Sequence, residues 1–417
     1  MKSVLYTSVL QTPILLLGSL IILVLGFKEL GGWDEMMRVC GAVTVNDGSL
    51  IILVLGFKEL GGWDEMMRVC GAVTVNDYGD TMTNLIRSND DANFPWLGAL
   101  IGSAIIGFWY WCTDQFIVQR VLSGKNEMEA RRGTIFGAYL KLLPVFLFLI
   151  PGMIAFALHQ KYIGAGGEGF LPMLANGTAN ADAAFPTLVA KLLPAGVKGL
   201  VVCGILAALM SSLASLFNSS AMLFTIDFYK RFRPETPEKK LVGIGQVATV
   251  VIVILGILWI PIMRSVGDVL YTYLQDVQSV LAPGIAAAFL LGICWKRTSA
   301  QGGMWGLIAG MVIGLTRLGA KVYYSNAGEV ADSTFKYLFY DMNWLFFCGW
   351  MFLFCIIVVI VVSLATKAPT AEKIQGLVFG TATKEQKAAT RASWNHWDII
   401  HTVIILAITG AFYWYFW

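Results

Sequence analysis

A chain of 417 residues with 57% hydrophobic and only 14% charged side chains, at a mean hydropathy of +0.68, falls outside the soluble globular class, whose members carry about 25% charged residues. Its net charge of +3 is small and the basic residues are dispersed, so nucleic acid is excluded as a partner class. The seven cysteines form no CxxC pair and no zinc spacing, which leaves them as small hydrophobes rather than a disulfide framework or metal site.

Apolar runs of the length that crosses a ~30 Å hydrocarbon core as a helix recur along the chain, and the ~10-residue alternating segments of an outer-membrane barrel are missing. The fold class is therefore an all-α polytopic membrane protein. Its runs predict about nine transmembrane helices, at 4–26, 95–119, 133–158, 197–226, 241–262, 267–295, 302–317, 343–366 and 398–417. The first is read as a true span and not a signal peptide, because its apolar run is too long and no small-residue cleavage site follows. Between it and the second, residues 18–47 recur without a single change at 48–77. Evolved structural repeats drift in sequence, so this identity marks a recent duplication or a gene-assembly error. The apolar piece of the second copy, Leu50 to Phe57, is too short to span, and the whole of 27–94 is expected to be an outer loop, with that piece as a short interfacial helix.

If the spans alternate, the loops 120–132, 227–240, 296–301 and 367–397 share one side and hold more than half of the 30 Lys and Arg residues. The positive-inside rule places them in the cytoplasm, with the carboxyl terminus outside. Tyr413, Trp414, Tyr415 and Trp417 then form an interfacial aromatic anchor. His159, His396 and His401 fall in loops or at interfaces, and Asn176-Gly177-Thr178 is a sequon in an outer loop.

Polar groups that persist inside spans are functional candidates by default. In "GFWYWCTDQFIVQR", Tyr110 and Trp111 offer flat apolar faces with polar edges that suit the CH face of a sugar ring. They equally suit packing or an interfacial belt. Asp114 and Lys141 fall at similar depth on consecutive spans. They form either a structural ion pair or part of a water-filled cavity in which Lys141 donates to substrate. Pro144 and Pro151 break or kink the helix that carries Lys141. In "LAALMSSLASLFNSS", Ala208, Ser211 and Ser212 stand at i, i+3 and i+4. One carbonyl and two hydroxyls are hard oxygen ligands for a small alkali cation, though on spacing alone close helix packing is favoured. In "YLQDVQSVLAPG", Gln275 precedes an interruption at Pro283-Gly284. Its amide can serve a sugar hydroxyl as donor and acceptor, or bond a neighbouring helix. No nucleophile–base pair, metal cluster or phosphate-cradling glycine loop is visible, so an enzyme is not expected.

The stretches "FWYWCTDQFIVQRVLSGKN", "GAYLKLLPVFLFLIPGMIA", "LAALMSSLASLFNSSAMLFTIDFYK" and "LAPGIAAAFLLGICWKR" together resemble the sodium/solute symporter family, specifically its sodium–glucose cotransporter branch. The resemblance implies a core of two inverted five-helix repeats with extra carboxyl-terminal helices, and substrate and sodium bound near the midplane at broken helices. It implies a sodium site at Ala208, Ser211 and Ser212, and sugar-hydroxyl contacts at Gln275 and Lys141. Tyr110 matches an aromatic inner gate beneath the sugar, with Trp111 beside it, and Asp114 and Gln115 match polar residues near that gate. The match starts at what resembles the fifth core helix, so the core is expected to be partial. The implied organisation is a first retained core helix at 1–26, the outer loop at 27–94, the second repeat at 95–295 and peripheral helices at 296–417. Ser8 and Gly107 depart from the branch pattern.

The expected activity is sodium-coupled symport of a glucose- or galactose-like monosaccharide by alternating access. The alternatives are a myo-inositol carrier, a non-transporting sugar sensor or an inert fragment. The expected partners are the sugar, the sodium ion and the lipid bilayer, with no obligate protein partner and no cofactor beyond the co-transported ion. The expected location is the plasma (inner) membrane.

Overall fold

A computed structural model of the chain describes residues 45–174, 177–266, 270–326 and 331–416. Among these the regular elements are all helical, with isolated β-bridges in the loops and no strand. The helices of eight or more residues are α1 (Val45–Leu60), α2 (Trp63–Gly71), α3 (Trp96–Cys112), α4 (Gln115–Leu122), α5 (Glu127–Pro144), α6 (Ile150–Gly164), α7 (Ala184–Leu192), α8 (Ala195–Met222), α9 (Glu238–Val266), α10 (Leu270–Cys294), α11 (Ala300–Asn326), α12 (Trp344–Ala365), α13 (Lys384–Ala392) and α14 (His396–Tyr415). Among the described residues six helical stretches are long and apolar enough to cross a membrane, and Trp96–Cys112 and Ala195–Leu206 are shorter apolar helices. The expected span at 4–26 lies outside the described residues.

The chain divides into two units, one formed by 1–73 with 141–260, the other by 74–140 with 261–417. In the first, α1 packs along α6. Ile52 and Leu60 are fully buried there, as are Ile154, Ala155 and Leu158 opposite. A Cβ on Gly56 would stand 2.7 Å from Ile154 Cγ2, so the glycine permits that approach. Lys161 Nζ donates to the terminal carbonyls of Glu59 (2.7 Å) and Leu60 (3.3 Å), which α1 otherwise leaves without partners. Gly61 and Gly62, at φ of 110° and 107°, make the turn into α2, whose Met66 and Cys70 are also fully buried. Within the second copy of the duplicated segment, α1 and α2 form a packed helix pair. A half-length apolar helix cannot span a bilayer, but it can bury its face on a neighbour.

Pro144 does not end its helix. It removes a donor, and the backbone answers with a π-helical stretch, Val145–Leu149, before resuming as α6. His159, expected in a loop or at an interface, lies within helix α6. It is 2% exposed, and its Nδ1 accepts from the Leu171 amide at 2.9 Å, which leaves Nε2 as the protonated nitrogen.

In the second unit α3, α10, α11 and α12 pack on one another. The seams are built from small residues, as membrane helix interfaces require. Gly284 and Gly310 meet backbone to backbone, and a Cβ on Gly102 would lie 2.9 Å from the Leu345 carbonyl oxygen. Ile105, Ile106, Ala282, Ala286, Leu345 and Cys348 fill one cluster, and Val280, Ala287, Phe347, Met351 and Cys355 the next. Helix α12, within 296–417, packs directly on α3 and α10.

Candidate functional site

The span expected at 95–119 is interrupted where its chemistry is densest. Helix α3 ends at Cys112, Thr113 takes φ −126°, and the chain restarts as α4 at Gln115. The amides of Thr113 and Asp114 both reach back to the Trp109 carbonyl, at 3.0 and 3.2 Å, and the Thr113 hydroxyl donates to it at 2.7 Å. Asp114 is the N-cap of α4, its Oδ1 accepting from the Phe116 amide at 3.0 Å. An aspartate in a greasy segment therefore has a local cause, since a restarting helix needs an acceptor for its first amides. Tyr110 stands edge-on to Trp111 at 5.4 Å between ring centroids, and Trp109 lies 6.3 Å from Tyr110 on the other side. Tyr110 and Gln115 are half-buried, while Trp111 is 44% exposed.

Gln275 is half-buried on α10, and its Nε2 donates to the Tyr271 hydroxyl one turn earlier at 2.9 Å. The helices bearing Tyr110 and Gln275 pack together through Ile105 and Ile106 against Ala282 and Ala286. Tyr110, Trp111, Asp114, Gln115 and Gln275 all belong to the second unit. Lys141, Ala208, Ser211 and Ser212 belong to the first. Lys141 is exposed in the last turn of α5, and Ser212 is exposed on α8. Ala208 and Ser211 are helical, but their side chains lie outside the described residues.

Beside Gln275 the structure holds a charge cluster that reading the sequence missed. Asp276 Oδ1 accepts from Arg317 Nη2 at 3.2 Å, and its Oδ2 lies 3.1 Å from Lys321 Nζ. Arg317 is fully buried. It also donates to the carbonyls of Met342 (2.8 Å) and Leu338 (3.5 Å), and its guanidinium sits 4.0 Å from the Phe347 ring centroid. The stretch around Gln275 is thereby tied to α11, to the π turn Tyr337–Asp341 and to α12. One signal was available: Arg317 and Lys321 are spaced i, i+4 on one helical face. The span expected at 302–317 stops short of Lys321, whereas α11 continues to Asn326.

The loop before α3 is ordered by two carboxylates. Asp91, 4% exposed, accepts from the amides of Asn93 (2.9 Å) and Phe94 (2.7 Å) and from the Asn76 side chain (3.1 Å), with Arg87 at 3.6 Å. Burial pushes its carboxyl up, but the Phe94 and Asn93 amides, Asn76 and Arg87 hold it below its ordinary value. Asp80 is lowered too, chiefly by the Asn76 amide and the Ser88 N–H.

Comparison with known proteins places the chain in a family. The model of the sodium:solute symporter family matches residues 1–310. The sodium/mannose cotransporter of Bos taurus is 32% identical over 100% of this chain and 68% of its own length. Sodium/glucose cotransporter 1 of Sus scrofa is 36% identical over 88% of the chain, and sodium/myo-inositol cotransporter 2 of Homo sapiens 34% identical over 91%. The chain spans 53% and 54% of those two relatives. With a family match over most of its residues and a relative two-thirds covered at this identity, the chain belongs to the sodium:solute symporter family.

Proposed function

We propose that the chain serves sodium-coupled symport of a monosaccharide, with the interrupted α3–α4 segment as one wall of the solute pathway. The observation that carries this reading is the break at Thr113–Asp114. It brings an aromatic edge (Tyr110, Trp111) and polar groups (Asp114, Gln115) to one level of an otherwise apolar helix. Interrupted helices expose backbone groups where small solutes and ions can be held inside a membrane. Gln275 is assigned to the sugar hydroxyls, as donor and acceptor, and Lys141 donates to them as well. Tyr110 closes beneath the sugar with Trp111 beside it, and Asp114 and Gln115 line the gate. Ala208, Ser211 and Ser212 on α8 hold the sodium. The protein resides in the plasma membrane with its carboxyl terminus outside.

The test is uptake of labelled glucose into proteoliposomes under an inward sodium gradient, with potassium as control. Sodium-dependent uptake whose half-saturating sugar concentration rises in Gln275→Ala supports the reading, and an unchanged saturation curve removes Gln275 from the site. A myo-inositol substrate is the second reading, favoured by the relative named for that solute. Stronger competition by myo-inositol than by glucose or mannose would establish it.

A further inference from the structure

The stretch that joins α12 to α14 is too polar to cross a membrane, yet it holds two large apolar side chains almost fully in the open. Leu377 is 73% exposed and Phe379 81%, while Val378 between them is buried. The display is built into the backbone. Gly376 and Gly380, at φ of 76° and 82°, make a tight turn that other residues would strain. The Thr381 hydroxyl clamps that turn, lying 2.8 Å from the Ile374 carbonyl oxygen and 2.7 Å from that of Val378. A Cβ on Gly376 would stand 2.6 Å from the Gln386 side chain, so the turn is also seated against α13.

The depth of the turn is fixed by one bond. The Phe379 amide donates to the Ile293 carbonyl at 2.7 Å, in the last turn of α10. Tyr273–Cys294 is long and apolar enough to cross the membrane, so Ile293 marks the level at which that crossing ends. Phe289 and Ile293, one turn apart on α10, are themselves exposed. The outward apolar surface of a span therefore runs directly onto Phe379 and Leu377, and a contiguous patch of this kind marks a contact surface.

The backbone says what the contact is with. The amides of residues 375 to 379 and of Thr381 all find acceptors inside the chain: Gln375 on Ala371, Gly376 on Thr381, Leu377 and Val378 on Ile374, Phe379 on Ile293 and Thr381 on Val378. A turn in water can leave such groups to the solvent, whereas one that enters lipid must satisfy them internally.

We propose that residues 376–380 form an interfacial wedge, with Leu377 and Phe379 set among the acyl chains of the leaflet at the end of α10. Apolar burial supplies the attraction, as for other segments that lie in a membrane without crossing it. Through the bond from Phe379 to Ile293 the wedge pins the end of α10 to the bilayer surface. The inference is independent of the solute carried.

The test places the full chain in phosphatidylcholine nanodiscs, with photoreactive p-benzoylphenylalanine replacing Phe379, Leu377 or Glu385, one at a time. Glu385, exposed in the first turn of α13, reports the aqueous side. After irradiation, mass spectrometry should find phosphatidylcholine adducts on the peptides carrying 379 and 377, and none above the unirradiated background at 385. Lipid adducts at 379 no more frequent than at 385 overturn the proposal. Cross-links from 379 to a second copy of the chain, in place of lipid, would make the patch a protein contact and overturn it as well. Position 377 decides on the same terms should the variant at 379 fail to fold.

Discussion

Asp276→Asn removes the single anion shared by Arg317 and Lys321. Arg317 is fully buried, and its remaining partners are two carbonyls and the Phe347 ring, none of which carries a compensating charge. Leaving one member of a buried ion pair without its partner costs about 3–5 kcal/mol. Lys321 is different, since its side chain is 24% exposed, close to the end of its helix. Lys321→Gln leaves the Arg317–Asp276 bond intact and should cost about 1 kcal/mol or less, the range of exposed pairs. In an Arg317→Met background there is no buried cation to strand, so adding Asp276→Asn should cost only about 1 kcal/mol. The cycle therefore predicts a coupling of about 2–4 kcal/mol between 276 and 317. Reversible unfolding of the four proteins in mixed micelles, followed by far-ultraviolet circular dichroism, measures it. The reasoning is refuted if Asp276→Asn costs the same in both backgrounds, or falls within about 1 kcal/mol of the unaltered chain.

Other expectations follow from single contacts. Gly102→Ala should destabilise by about 1–3 kcal/mol, because its Cβ would press on the Leu345 backbone. Gly107→Ala, whose Cβ would meet nothing within 4 Å, should be neutral or stabilising by up to about 1 kcal/mol; the same unfolding assay compares the two. The Asp91 carboxyl is held below its unfolded value, so its contribution is fully present above pH about 4 and is lost as pH falls through the lower folded value. Protection factors of the amides in 76–94 should accordingly fall on acidification below pH about 4, and Asp91→Asn should weaken that dependence, leaving the part that Asp80 contributes. Ser212→Ala should shift the sodium activation of uptake to higher concentration; an unaltered sodium curve removes Ser212 from the ion site.

The long spans were legible because run length alone specifies them: 343–366 and 398–417 were placed within a few residues of α12 and α14. The break inside 95–119 was not, since neither glycine nor proline marks it. Its signal was the pair Thr113-Asp114, residues that cap helices, set between two apolar stretches. The cluster at Asp276 was hidden for another reason. Its partners lie some forty residues away, and only packing of α10 on α11 brings them together. The seat of α1 on α6 was hidden because a span test measures length, whereas burial of Ile52 and Leu60 depends on a complementary neighbour.

That seat has a consequence rooted in the duplication. The side chains that fill it, at Ile52, Leu60, Met66 and Cys70, with Gly56 giving clearance, recur identically at 22, 30, 36, 40 and 26. The seat's side chains are thus offered twice, but α1 itself opens with Val45-Asn46-Asp47, where the upstream copy is preceded by Leu15-Leu16-Leu17. Chain connectivity separates the copies further. With the downstream copy seated, roughly 25 residues lead to the start of α3, and with the upstream copy roughly 55, a difference in closure entropy of about 0.7 kcal/mol. That closure difference alone favours the downstream copy about threefold.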